Sequence, residues 1–179
     1  MPSRGAGKAI ANRDQSELIK SISKENTETS DVVAHLQQQV ANAFVLYSNY
    51  KHYHWQTFGP LFRDLHLLFD EFATAVLATI DDFAERLRMI GQDPIFRPED
   101  VERTATVKVS GDAATMREMI EEANANLLVI IAEMRVAARV ADDHDDPGTV
   151  DLFSRHVQIH EKHEWFLRDI LERNDGLVS

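Results

Sequence analysis

Cysteine is absent from the 179 residues, which excludes a disulfide framework and a thiolate metal site and leaves His, Asp and Glu as the strong metal donors. Long apolar segments are missing too. The most apolar uncharged run, Ala125 to Ala132, is far short of the ~20 residues that cross a bilayer, so no membrane span is expected. The first 25 residues are interrupted throughout by charge and carry no apolar stretch of the kind a secretory signal needs, which makes a cytoplasmic location the expectation. Positive charge is in short supply: 19 Lys and Arg stand against 30 Asp and Glu, a net charge of −11. A body of that sign attracts cations and does not wrap nucleic acid unaided.

What is present is helical periodicity. Val32, Val33, Leu36, Val40, Ala43, Phe44, Tyr47 and Tyr50 recur at three- and four-residue steps and predict a helix from Asp31 to about Thr57. Gly59-Pro60 breaks it. A second helix, from about Leu61 to Ile90, carries Phe62, Leu65, Phe69, Phe72, Val76, Ile80, Phe83 and Leu87 as its stripe and stops at Gly91. Pro94, Pro98 and Gly111 mark a linker with a short helix starting at Pro98. A third helix is expected from Asp112 to Ala141, its Leu127–Ala132 stretch apolar nearly all round and so placed in the deep core. The acidic loop 142–148 leads to a fourth helix from about Thr149 to Arg173. With no strand pattern, the fold class is all-α: a four-helix bundle over 31–173, with a short extra helix in the linker between the second and third helices. A weakly basic N-terminal arm (1–30) and a short C-terminal tail (174–179) flank it.

The second helix repeats a chelating pattern. His66 and Asp70 are four residues apart, as are Asp81 and Glu85, so each pair projects from one helix face. Eleven residues from Asp70 to Asp81 are close to three full turns, which puts both pairs on roughly the same side. Their midpoints are nevertheless about 22 Å apart at 1.5 Å rise per residue, too far to share an ion. Two copies packed antiparallel about a two-fold axis would bring His66 and Asp70 of one against Asp81 and Glu85 of the other. His54, across the Gly59-Pro60 turn, falls beside His66 in an antiparallel helix pair. A set of two His and three carboxylates suits ferrous iron, with zinc or manganese as competitors. Taken singly, each pair also fits an ordinary solvated helix face; apolar neighbours such as Leu65 and Phe69 favour the ligand reading, because charge flanked by core residues needs compensation.

The segment KHYHWQTFGPLFRDLHLLFDE (Lys51 to Glu71), followed after nine residues by DDFAERLRMIG, resembles the signature region of the Dps family of ferritin-like miniferritins. The resemblance extends from about residue 31 to 173. It implies a ferritin-like bundle, a hollow homododecamer, and ferroxidase centres in which His54, His66 and Asp70 come from one subunit and Asp81 and Glu85 from its two-fold mate. It further implies oxidation of Fe(II), commonly by hydrogen peroxide, and storage of the ferric product, which protects the cell and its DNA from oxidative damage.

Trp55, directly after His54, is by the same resemblance close to the iron and able to donate an electron to a stray oxidising equivalent; the alternative is packing. His52 is some 200° around the helix from His54 and is not a ligand of that site. His156, His160 and His163 lie on the fourth helix. His160 reads as structural, and His163 either as an extra nitrogen ligand to the metal centre or as a buried, hydrogen-bonded histidine. The acidic run around the start of the last helix is a solvated loop or, as the resemblance implies, the lining of a three-fold iron-entry pore formed by Asp142, Asp146 and Asp151, where repetition would focus negative potential. The arm, with Arg4, Lys8, Arg13, Lys20 and Lys24 against Asp14, Glu17 and Glu25, is the place where some relatives bind DNA, and would associate the particle with the nucleoid. A DNA-compacting protein with a secondary metal site is therefore the competing function. An oxygen-activating di-iron enzyme acting on an organic substrate is disfavoured, since such bundles carry Glu-x-x-His motifs and the chain has none.

Overall fold

The computed structural model describes residues 30–172 except 112 and 114; the N-terminal arm up to residue 29 and the C-terminal tail lie outside the described residues. Among the described residues five helices follow one another: α1 (Ser30–Gln56), α2 (Phe62–Met89), α3 (Pro98–Thr104), α4 (Met116–Asp143) and α5 (Pro147–Ile170). Among the described residues there is no strand. The packing is strongest between α1 and α2 and between α4 and α5, with α4 also against α1 and α5 against α2. Two helical hairpins thus close into a bundle, joined by one long crossover, and α3 rides on the outside of α1.

The turns arise where the sequence breaks helical geometry. Gly59 adopts φ +80°, and its carbonyl accepts the amide of Phe62 at 3.0 Å. Gly91, at φ +82°, ends α2 in a Schellman arrangement, with Gln92 N–H donating to Leu87 C=O at 2.8 Å and Gly91 N–H to Arg88 C=O at 3.1 Å. The core between the hairpins is aromatic: Tyr50, Tyr53, Phe69, Phe72, Phe83 and Phe153 are fully buried, and burial of each such ring contributes ~1.5–3 kcal/mol.

The crossover is held by side-chain amides in place of strand partners. Gln37 bonds the carbonyl of Asp93 and the amide of Ile95, at 2.8 and 2.9 Å. Buried Asn42 accepts from Thr106 N–H at 2.8 Å and donates to Glu133 Oε2 at 2.9 Å. Asn49 spans Lys108 C=O and Ser110 N–H, at 2.8 and 2.9 Å, and Asn126 takes both backbone groups of Lys108 at 2.9 and 2.8 Å. An extended segment without a neighbouring strand is thereby satisfied.

Two expectations need correction. The Leu127–Ala132 stretch is not deep core all round: Leu127, Ile130 and Ile131 are buried, whereas Leu128, Val129 and Ala132 face outward, because α4 packs on neighbours along one side only. Asp146, expected to line an entry pore, is not exposed on the chain. It is buried, caps α5 by accepting Thr149 N–H at 3.0 Å, and takes a hydrogen bond of 2.5 Å from Arg86 Nη2, while Arg86 Nε donates to Thr149 Oγ1 at 2.9 Å. Gly148 is part of this join, since a Cβ there would stand 2.9 Å from the guanidinium. Asp146→Ala, which removes the cap and strands the Arg86 charge, should therefore lower the unfolding free energy by roughly 3 kcal/mol. The exposed Asp142→Ala should move it by less than about 0.5 kcal/mol; denaturant titration of both variants at equal concentration checks this.

Candidate metal centre

The antiparallel α1–α2 hairpin sets His54 against His66 with ring centroids 3.7 Å apart and planes within 19° of parallel. Each ring uses Nδ1 to donate to the other residue's backbone carbonyl, at 2.7 Å from His54 and 2.8 Å from His66. That exchange fixes both neutral rings as the tautomer with a lone pair on Nε2, the nitrogen left free to ligate a metal. Phe62 stacks on the outer side of His66 at 5.3 Å.

Asp70 follows one turn after His66, half-exposed, and Lys51 Nζ bonds its Oδ1 at 2.7 Å. That hydrogen bond holds the Asp70 carboxyl below the usual carboxylate range, with smaller contributions from the charges of Lys51, His54 and His66. Lys51 sits three residues before His54 on the same helix, a spacing visible in the sequence whose significance lay only in what it would touch. Asp81 and Glu85 are exposed farther along α2. Glu85 borders a cavity of about 290 Å³ between α2 and α5, together with Asp82, Arg86, Gly148, Asp151 and Arg155. Among the described residues of one chain, no three His, Asp or Glu come close enough to hold a metal ion. The chain pairs His54 with His66 and sets Asp70 one turn along α2, held by Lys51, while Asp81 and Glu85 lie one turn apart farther along the helix.

The surface around the histidine group is apolar: Trp55 is 68 % exposed, Phe58 54 % and Leu67 50 %. Packing within its own chain therefore does not account for Trp55, over whose ring Lys51 Nζ lies 6.0 Å from the centroid.

The ferritin-like domain family matches residues 33–176. The DNA protection during starvation protein of Brevibacillus brevis is 35% identical over 137 residues, 76% of this chain and 92% of that one. The solved structure of Dps from Thermosynechococcus elongatus is 49% identical and superposes with a TM-score of 0.81, covering 87% of this chain and 99% of the other. The Dps protein from Vibrio cholerae O1, described as a member of a broad superfamily of ferritin-like diiron-carboxylate proteins, is 26% identical with a TM-score of 0.78 over 82% and 92% of the two chains. The chain belongs to the Dps branch of the ferritin-like family. The five helices of the described residues, with the short one in the crossover, are those of this fold.

In this Dps chain the other sites expected from sequence fall apart from the His54–His66 pair. His163 is buried and stacked on Phe72 at 3.8 Å, with Tyr50 edge-on at 6.5 Å. It faces the bundle core and joins no group of three metal donors. Its Nδ1 has no hydrogen-bond partner among the described residues. His160 is buried beside it, and His156 lies 3.0 Å from Asp82 Oδ2. Asp142 and Asp151 are exposed at the α4–α5 corner, Asp151 paired with Arg155 at 2.9 Å.

Burial pushes the His160 pKa from 6.5 down to about 3 and that of His163 to about 4, each helped by a neighbouring cation-forming group. An unfolded chain takes up these protons below pH 6.5 while the folded chain refuses them. Stability should thus fall as pH is lowered through that window, by up to about 1.4 kcal/mol per pH unit for each histidine. Denaturant midpoints between neutral and mildly acidic pH, at fixed protein concentration, should show a shallower slope for His160→Gln than for the parent. Equal slopes would mean that His160 is protonated inside the fold.

Proposed function

We propose that this chain oxidises Fe(II) at sites shared between two copies and stores the ferric product inside a closed homo-oligomeric shell. The observation that carries this is the reciprocal His54–His66 bonding, which leaves two Nε2 lone pairs with Asp70 one turn along α2, while no three donors come together among the described residues of one chain. Asp81 and Glu85 of a second copy complete the set if α2 pairs with itself antiparallel. The two half-sites are symmetric about a point near Ala75 and Val76. On the outward stripe at that point lie Thr74, Leu77 and Ala78, all exposed, small enough at Thr74 and Ala78 for two helices to approach closely. Trp55, Phe58 and Leu67 would be covered by the same contact.

Iron is the substrate. Two imidazoles and three carboxylates bind Fe(II) and favour Fe(III) still more, since added negative charge stabilises the higher oxidation state. Two Fe(II) each give one electron to one hydrogen peroxide; its O–O bond breaks and two protons complete two waters. Dioxygen is the slower alternative oxidant, and zinc competes for the same donors. Trp55, beside His54, is placed to supply an electron when peroxide is reduced by one Fe(II) alone. A dodecamer, with Asp142 and Asp151 lining the entry for Fe(II), completes the reading, without Asp146. Consuming iron and peroxide together protects DNA with no contact to it; the competing DNA-binding reading falls on the arm, outside the described residues.

Anaerobic Fe(II) loading followed by stepwise peroxide tests the proposal. The parent should develop ferric absorbance quickly and elute with its iron as a large particle. His54→Ala with Asp81→Ala should do neither, and free ferric precipitate at equal rates from both would sink the reading. Ala78→Arg, which leaves every proposed ligand in place but drives two α2 helices apart, should keep the helix content and lose both the dimer and the site.

A further inference from the structure

Tyr53, the residue before His54, combines an oxidisable ring with a built-in proton acceptor. The ring is fully buried, packed on Phe69 at 5.2 Å and on Tyr50 at 6.5 Å. Its Oη donates a 2.5 Å hydrogen bond to Oε1 of Glu122 on α4. The second oxygen of Glu122 lies 3.6 Å from Lys108 Nζ, and the carboxylate is only 11% exposed.

Removing an electron from a buried phenol creates a strong acid in a poorly solvating medium, which is costly unless the proton leaves in the same event. A carboxylate already bonded to that proton accepts it without reorganisation. Tyr50, one turn earlier, is the internal contrast: equally buried, in the same aromatic cluster, yet with no hydrogen-bond partner for its Oη among the described residues. The two rings share their surroundings and differ in the acceptor.

We propose that Tyr53 and Glu122 form a proton-coupled redox site that collects one-electron oxidising equivalents escaping the iron chemistry at His54. This rests on the ferroxidase reading. A hydroxyl radical, formed when one Fe(II) reduces peroxide by a single electron, takes an electron from Tyr53 and becomes hydroxide. The phenolic proton moves to Glu122 Oε1, leaving a neutral phenoxyl radical and a carboxylic acid. A further Fe(II) returns the electron and becomes Fe(III), Glu122 returns the proton, and the tyrosine is restored. The Trp55 ring, exposed at the surface, has no comparable acceptor bonded to it and serves a different position on the molecule.

Freeze-quenched electron paramagnetic resonance of the full-length oligomer, loaded anaerobically with Fe(II) and mixed with peroxide, reads the radical while ferric absorbance reads the iron. The parent and Tyr50→Phe should both show a tyrosyl signal. Tyr53→Phe should lose it and accumulate oxidised Met and Trp by mass spectrometry. Glu122→Gln, which keeps a hydrogen-bond acceptor but cannot take the proton, should lose it too. A full signal in either Tyr53→Phe or Glu122→Gln overturns the proposal, as does an oxidised parent with no tyrosyl signal. Iron left unoxidised by the parent is a separate outcome, seen in the ferric absorbance, and would remove the ferroxidase reading together with the step that depends on it.

Discussion

A rigid helix keeps its two ends apart, and that constraint shapes the chemistry available to this chain. α2 runs unbroken from Phe62 to Met89, with one side sealed in the aromatic core and the other carrying His66 and Asp70 near one end and Asp81 and Glu85 near the other. At 1.5 Å per residue no bending within the bundle brings the pairs together. Neither pair makes a metal site by itself, and in the proposed function completion passes to symmetry: a two-fold operation on one helix would generate two equivalent sites from two identical halves. On the proposed function, assembly and metal binding become one event, and an isolated subunit should hold iron poorly.

The precision of each half comes from the hairpin. His54 and His66 orient one another through backbone carbonyls, so neither ring depends on a third residue for its tautomer. The Gly59 turn sets the register that makes this exchange possible, since a slip of one residue along α2 would rotate His66 by 100°. Farther along α2, Arg86 joins the helix to the first turn of α5 through Asp146 and Thr149, next to the exposed Glu85. Two carboxylates of the same type, one residue class apart in environment, have opposite duties: Asp146 is spent inside the fold, and Asp142 remains at the surface.

The polar interior follows a similar economy of function. Asn42, Asn49 and Asn126 hold an extended crossover that has no sheet to join, which lets the two hairpins lie side by side without a tight turn between them. The buried imidazoles of α5 make no such bonds at Nδ1; they are kept neutral by burial and act as aromatic surfaces against Phe72 and Phe83. Tyr53, by contrast, is buried together with its acceptor.

Helical periodicity, the Gly59 and Gly91 breaks and the Pro98 start were legible in the sequence because they depend on local backbone geometry, and the observed helices begin and end within a few residues of expectation. The repeat of i, i+4 donors on α2, and the distance between them, were legible for the same reason. What the chain could not disclose by itself was which polar groups face each other across the bundle. Nothing local distinguishes Asp146 from Asp142, marks Lys51 as the partner of Asp70, or pairs Tyr53 with Glu122, a residue 69 positions away. Those contacts are set by how two hairpins pack, and packing depends on every side chain in the core at once.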